Sequence, residues 1–126
     1  MKKAMYFLAM ILISISSYAQ SQWKVDPYHS SLNFNISHSG ISIVNGKFTE
    51  YTGNLTTAEK ALNDAKFDFT VKVNSINTNV ADRDTHLRSA DFFEVQKYPE
   101  MTFKSTKMLA TGKPDQYLLY GKLTIK

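Results

Sequence analysis

Apolar and polar residues alternate along much of the chain. The first clean run sets Leu32, Phe34, Ile36 and His38 on one face and Ser31, Asn33, Asn35 and Ser37 on the other. A period of two marks a half-buried β-strand, because successive side chains of an extended chain point to opposite sides. After a turn at Ser39-Gly40 the pattern resumes from Ile43 to Tyr51. There Val44, Gly46, Phe48 and Glu50 alternate with Ile43, Asn45, Lys47, Thr49 and Tyr51, and Gly53 is read as closing the segment. A short strand is expected at Asn54 to Thr57, followed by a polar stretch, Thr57 to Ala65, with room for one helical turn. The clearest strand has Phe67, Phe69, Val71 and Val73 facing one way and Lys66, Asp68, Thr70 and Lys72 the other.

The period then changes. Asn79 is placed to cap a helix of about ten residues, with Val80, Arg83, Asp84 and Leu87 on one stripe. Beyond it come Phe92-Phe93, a turn at Tyr98-Pro99 and a strand with Met101, Phe103 and Ser105 on one face. A loop over Thr111 to Gln116 leads to a last strand in which Tyr117, Leu119, Gly121, Leu123 and Ile125 alternate. No internal repeat is visible, and nothing supplies crossover helices between strands, so the expected class is all-β and antiparallel, a sandwich or a barrel. Large apolar inward positions on every strand favour a barrel, whose interior either fills or holds one ligand. Five clear strands and one short one fall below the roughly eight that closure takes, and alternation is still running at Lys126. The expectation is a fragment, with its C-terminal strands missing, or an open edge that a partner covers.

Residues 1–19 read as a secretory signal peptide: Lys2 and Lys3, an apolar run from Ala4 to Ile13, and a small-x-small cleavage site at Ser17-Tyr18-Ala19. An apolar stretch of about ten residues is half the length of a membrane span, and no Cys follows the site to carry a lipid. The domain is therefore expected over residues 20–126, in the periplasm and without stable membrane insertion. Its 43% hydrophobic and 21% charged residues exclude disorder. The chain has no Cys, which excludes thiol catalysis, thiolate zinc and iron–sulfur clusters. Of its 15 Lys and Arg, two lie in the leader, and the rest are scattered singly among 11 Asp and Glu. Such a surface lacks the basic stripe of a nucleic-acid binder, so none is expected as a partner.

Candidate chemistry is sparse. No two of His29, His38 and His86 have the spacing that brings a pair to one ion from a single element, so no metal is expected, and His29 and His38 are read as structural or pocket-lining. On a helix Asp82 meets His86 and Asp84 meets Arg88; these read as surface ion pairs rather than an acid/base couple, since no nucleophile accompanies them. Ser30 and Ser31 lack a nucleophile elbow, and no glycine-rich phosphate loop exists. The sequence thus predicts neither an enzyme nor a cofactor. What remains is the aromatic content. Phe34, Phe48, Phe69, Phe92, Phe93 and Phe103 lie on or beside inward faces, and a barrel so lined makes either a packed core or the wall of an apolar pocket.

The wording of the chain resembles the YceI-like family of secreted bacterial proteins. The resemblance is carried by Val25-Asp26-Pro27-Tyr28-His29-Ser30 with Phe34 and His38, by Val44-Asn45-Gly46-Lys47-Phe48, and by Ile76-Asn77-Thr78 with Arg83-Asp84-Thr85-His86-Leu87-Arg88-Ser89-Ala90-Asp91-Phe92-Phe93. Tyr98-Pro99 through Thr102-Phe103-Lys104-Ser105 and Gly121-Lys122-Leu123-Thr124-Ile125 complete it, so it covers essentially everything after the leader. It implies a lipocalin-like antiparallel barrel with one short helix, binding a long-chain isoprenoid lipid, such as a polyprenyl phosphate or isoprenoid quinone, or a similar amphiphile, without catalysis. On that reading the pocket wall comprises Phe34, Ile36, Phe48, Phe69, Val71, Phe92, Met101 and Phe103, and His38, Arg83, His86 and Arg88 meet the head group. Family members continue with further strands, so the open edge here implies a homodimer or strand exchange. The competing reading is a secreted protein–protein interaction module with a solid barrel core.

Overall fold

In the computed structural model, which describes residues 20–58 and 62–126, the alternating segments form two antiparallel sheets. The larger contains β1 (Ser21–Lys24), β4 (Tyr51–Thr57), β5 (Lys66–Lys72), β7 (Glu100–Ala110) and β8 (Tyr117–Thr124), in the order β1-β4-β5-β7-β8. The smaller contains β2 (Leu32–His38), β3 (Ser42–Phe48) and the two-residue β6 (Ile76–Asn77), in the order β2-β3-β6. A single turn of 3-10 helix, Val73–Ser75, joins β5 to β6, and one α-helix, α1 (Ala81–Arg88), follows. The all-β antiparallel class and the one short helix are as expected from the sequence. The leader expected at residues 1–19 lies outside the described residues.

The two sheets are joined at a corner. The run from Ile43 to Tyr51, read as one strand, breaks at Thr49-Glu50, where the chain leaves the small sheet as β3 and enters the large one as β4. Ser75 holds that break: its carbonyl accepts from the Thr49 N–H at 3.2 Å, and its hydroxyl from the Glu50 N–H at 3.0 Å. β5 and β6 turn the same corner in reverse. Here the core is packed most tightly, with Phe48, Val71, Val73 and Ile76 buried and Leu87, Phe93 and Val95 against them. On the opposite side β2 and β8 each present an edge unpaired among the described residues, and the sheets do not close into a barrel.

Other details depart from the sequence reading. Gly53 does not close a segment; it lies within β4, opposite Phe69. β1 was not foreseen, because four residues beside an expected cleavage site carry no alternation to read. Asn79 does not cap the helix. It is left-handed at φ 61°, its N–H bonds to Asn77 Oδ1 at 2.8 Å, and the extended Val80 leads into an eight-residue helix. The Asp84 carboxylate ties this entry instead, accepting from the Thr78 N–H and hydroxyl at 2.9 and 2.6 Å. The helical turn expected between Thr57 and Ala65 falls partly on residues 59–61, outside those described; residues 62–65 form a turn closed by the Ala65 N–H on the Leu62 carbonyl.

Candidate binding cavity

Strand alternation turns one face of each sheet toward the other, and the register fixes which side chains share a level. Phe69 lies opposite Phe103, and Phe103 opposite Leu123; Val71 lies between Tyr51 and Met101. Facing them across the gap are Leu32 and Phe34 of β2 and Phe48 of β3. With Phe69, Val71, Met101, Phe103 and Leu123 these line a partly open apolar cavity of about 260 Å³, reached also by Ile125 just beyond β8. The aromatic rings brace one another: Phe34 and Phe48 have centroids 5.5 Å apart, Tyr51 stacks on Phe69 at 5.5 Å, and Phe93 meets Phe48 edge-on at 6.2 Å. Such contacts fix ring orientation beyond simple burial.

A second cavity of about 300 Å³ adjoins the first, and Phe34 lines both. Its walls are Ile36, Val44, Leu87 and Phe92, and its polar groups are His38, Thr78, Arg83 and His86. The second volume is at the lower end of the roughly 300–1,000 Å³ range of small-molecule sites and the first falls just below it. Larger depressions elsewhere, about 570 Å³ beside Glu50 and Lys72 and about 440 Å³ over Asn33, Asn35 and Asn45, lie on polar outer surfaces. Beside the former, Glu100 hydrogen-bonds Lys72 and raises its ammonium pKa above the ordinary lysine value.

Of the expected wall residues, Phe34, Phe48, Phe69, Val71, Met101 and Phe103 line the inner cavity, while Ile36 and Phe92 line the outer one. Of the expected head-group residues, His38, Arg83 and His86 come together at the outer cavity, and Arg88 does not. Its guanidinium donates to the carbonyls of Asn74 and Ile76 at 3.0 and 2.8 Å, on the side of α1 that holds β6. Arg83 divides its donors: Nε and one terminal nitrogen bond Thr78 Oγ1 and carbonyl at 2.7 and 2.9 Å, beside the cavity the residue lines. The expected i,i+4 ion pairs do not form. Asp84 is buried on Thr78, and His86 turns to Asp91 at 3.3 Å, its ring edge-on to Phe92 at 4.9 Å.

His29 lies apart from both cavities, in the loop between β1 and β2. Its Nδ1–H donates to Asp26 at 2.7 Å, and that bond, with the Tyr28 N–H at 2.9 Å, holds the Asp26 carboxyl below its usual range. The Ser30 hydroxyl donates to the Asp26 carbonyl at 2.6 Å, so the 2.9 Å contact with Tyr51 is donated by the tyrosine hydroxyl. Among the described residues no group of three or more His, Cys, Asp or Glu is placed to hold a metal ion, and no helix is long and apolar enough to cross a membrane. Sequence reasoning left Leu32, Leu123, Ile125, Val44 and Leu87 out of the walls. Their alternation placed the strand residues inward, but which strands face each other depends on sheet order.

The profile of the YceI-like domain matches residues 23–126. Protein YceI of Salmonella arizonae and that of Salmonella paratyphi B are each 38% identical over 122 residues, covering 95% of this chain. The chain spans 63% of the length of these curated relatives. The crystal structure of the Campylobacter jejuni YceI protein superposes with a TM-score of 0.58 at 32% identity, covering 82% of this chain and 60% of that one. Burkholderia cenocepacia BcnA superposes at 0.72 with 24% identity, over 80% of this chain and 62% of that one. A polyisoprenoid binding domain from Saccharophagus degradans superposes at 0.58 with 19% identity, over 83% and 66%. These last two likenesses concern the fold alone. On the domain match and the identity to its relatives, the chain belongs to the YceI-like family.

Proposed function

We propose that this protein binds and carries a long-chain isoprenoid lipid, such as a polyprenyl phosphate or an isoprenoid quinone, or a similar amphiphile, in the space between its sheets, without catalysis. The observation that carries the reading is a chamber walled by aromatic and aliphatic side chains that adjoins one holding His38, Arg83 and His86. The first suits a hydrocarbon chain and the second a polar or anionic head, since guanidinium offers planar paired donors to phosphate. The name of the Saccharophagus degradans neighbour gives the same ligand class for that protein. Each buried CH₂ contributes about 0.8 kcal/mol, so a chain of several isoprene units gains affinity without metal, base or nucleophile. The inter-sheet space favours this reading over a solid-cored interaction module.

The leader-like residues 1–19 support a periplasmic location for the carrier. The edges of β2 and β8 that are unpaired among the described residues, with Leu118, Leu119, Tyr120 and Leu123 exposed along β8, support self-association through that side. Light scattering across a concentration series should then find dimers; a monodisperse monomer would sink that part of the reading.

Native mass spectrometry of the protein purified from its own compartment, followed by organic extraction, tests the main claim. A polyprenyl or quinone species at near-stoichiometric amount is the expected result. Phe69→Asp should lose it, and His86→Ala should change the head group retained more than the amount. Identical lipid in amount and kind in both variants would show that the pocket is assigned to the wrong place.

A further inference from the structure

We infer that Phe34, laid flat over Gly46 of the neighbouring strand, is the constriction that decides how long a chain the site accepts; this rests on the binding function proposed above. A glycine inside a strand weakens it, and its presence there calls for a reason. Positive φ is not the reason at Gly46, since among the described glycines only Gly40 and Gly112 have it. The reason is contact. Gly46 lies directly opposite Phe34 in the register of β2 and β3, and a Cβ built on it would fall 2.2 Å from the ring's Cζ and 2.7 Å from both Cε atoms. The ring rests where any other side chain would begin.

Its position gives that contact a consequence. Phe34 lines both the inner apolar cavity and the outer one that holds His38, Arg83 and His86. It is the one residue common to both linings, so a chain whose head stays in the outer cavity runs along this ring to reach the inner one. A methyl group on Gly46 would lift the ring, and the β3 backbone beneath it and Phe48 at 5.5 Å leave the space between the sheets as the way out. The passage would narrow while the other walls of the outer cavity stayed in place. Gly53 and Gly121 lie under Phe69 and Phe103 in the same manner, but there Val25 or the Lys104 carbonyl also blocks a Cβ. Gly46 is thus the position where the ring is the group that has to yield.

Calorimetric titration of the purified protein with geraniol, farnesol and geranylgeraniol tests the inference. Wild type should bind geranylgeraniol at least about tenfold tighter than geraniol, because only the longer chain fills both cavities. Gly46→Ala should reduce that ratio to about twofold or less, and Phe34→Trp, which enlarges the ring rather than lifting it, should reduce it in the same direction. Gly46→Ala combined with Phe34→Leu should recover the wild-type preference. Urea unfolding and near-ultraviolet circular dichroism establish that each variant is folded, and if Gly46→Ala is not, Phe34→Trp carries the same test. A ratio unchanged in the folded variants, or a double variant that recovers nothing, overturns the constriction while leaving the binding function standing. Wild type that binds none of the three alcohols overturns the binding function and the constriction with it.

Discussion

The corner side of the molecule and the side between β2 and β8 are built from the same kind of residues to different effect. At the corner, Val73 and Ile76 are 0% and 1% exposed, because the chain passes from one sheet to the other there twice, between β3 and β4 and between β5 and β6, and brings both apolar faces into contact. On the far side Leu123 and Ile36, equally inward by alternation, are 63% and 56% exposed. Alternation decides which way a side chain points; burial needs a second layer at the right distance. Among the described residues the difference separates a packed side that holds the fold from one whose inward faces remain exposed.

The sharpest test truncates one residue on each side. Ile76→Ala removes a fully buried side chain from a site braced by Phe48, Val71 and Val73, and should cost about 2–5 kcal/mol. Leu123→Ala shortens an inward side chain that is largely exposed and should stay within about 0.5 kcal/mol. Urea midpoints at constant m-value measure both. An equal loss at the two positions would mean that the far side is covered in solution and that the comparison fails.

The helix sharpens the same contrast within one element. Arg88 works toward the packed side, holding the carbonyls of Asn74 and Ile76. His86, two residues before its end, faces the outer cavity with its ring on Phe92. Arg88→Ala should therefore cost about 1–3 kcal/mol, because it leaves those carbonyls without their donors. His86→Ala should leave stability within about 0.5 kcal/mol and act on retained lipid. A thermal shift larger for His86→Ala than for Arg88→Ala would reverse the two roles.

Much of this was legible in the sequence, for identifiable reasons. Leu32 to His38, Lys66 to Lys72 and the strand through Met101 and Phe103 announced themselves because one face of each is buried and the other wet, which is what period two encodes. The inward placement of Phe34, Phe69 and Phe103 followed directly. Arg88 did not, because Arg83, His86 and Arg88 lie within two turns and only the packing of α1 on β6 tells which faces the strand. Asp82 and His86 have helical spacing, yet the ring turns to Asp91, which the chain brings back after the helix ends. The break at Thr49-Glu50 was hidden because alternation continues through it and the cause, Ser75, is 25 residues away. Glycine read as punctuation at Gly53 was instead a site of close approach under Phe69.

The smallest expected effect concerns the loop between β1 and β2, which ties the two sheets without burying anything. Hydrogen bonds from His29 and from the Tyr28 N–H hold the Asp26 carboxyl below its usual range. Its folded pKa is then lower than its unfolded one, so its contribution to stability is present above the unfolded value and is lost as pH falls through the folded value. Unfolding midpoints taken between about pH 5 and about pH 2 should decline less steeply in Asp26→Asn than in wild type. The effect should be slight, because the pair is exposed and water competes for every bond it makes. The same variant at neutral pH should leave the packed corner as stable as before, because Val73 and Ile76 depend on the passage of the chain between the sheets at β3–β4 and β5–β6 and not on this loop. A loss there comparable to that of Ile76→Ala would mean that the exposed tie, rather than the corner, is what holds the two sheets in register.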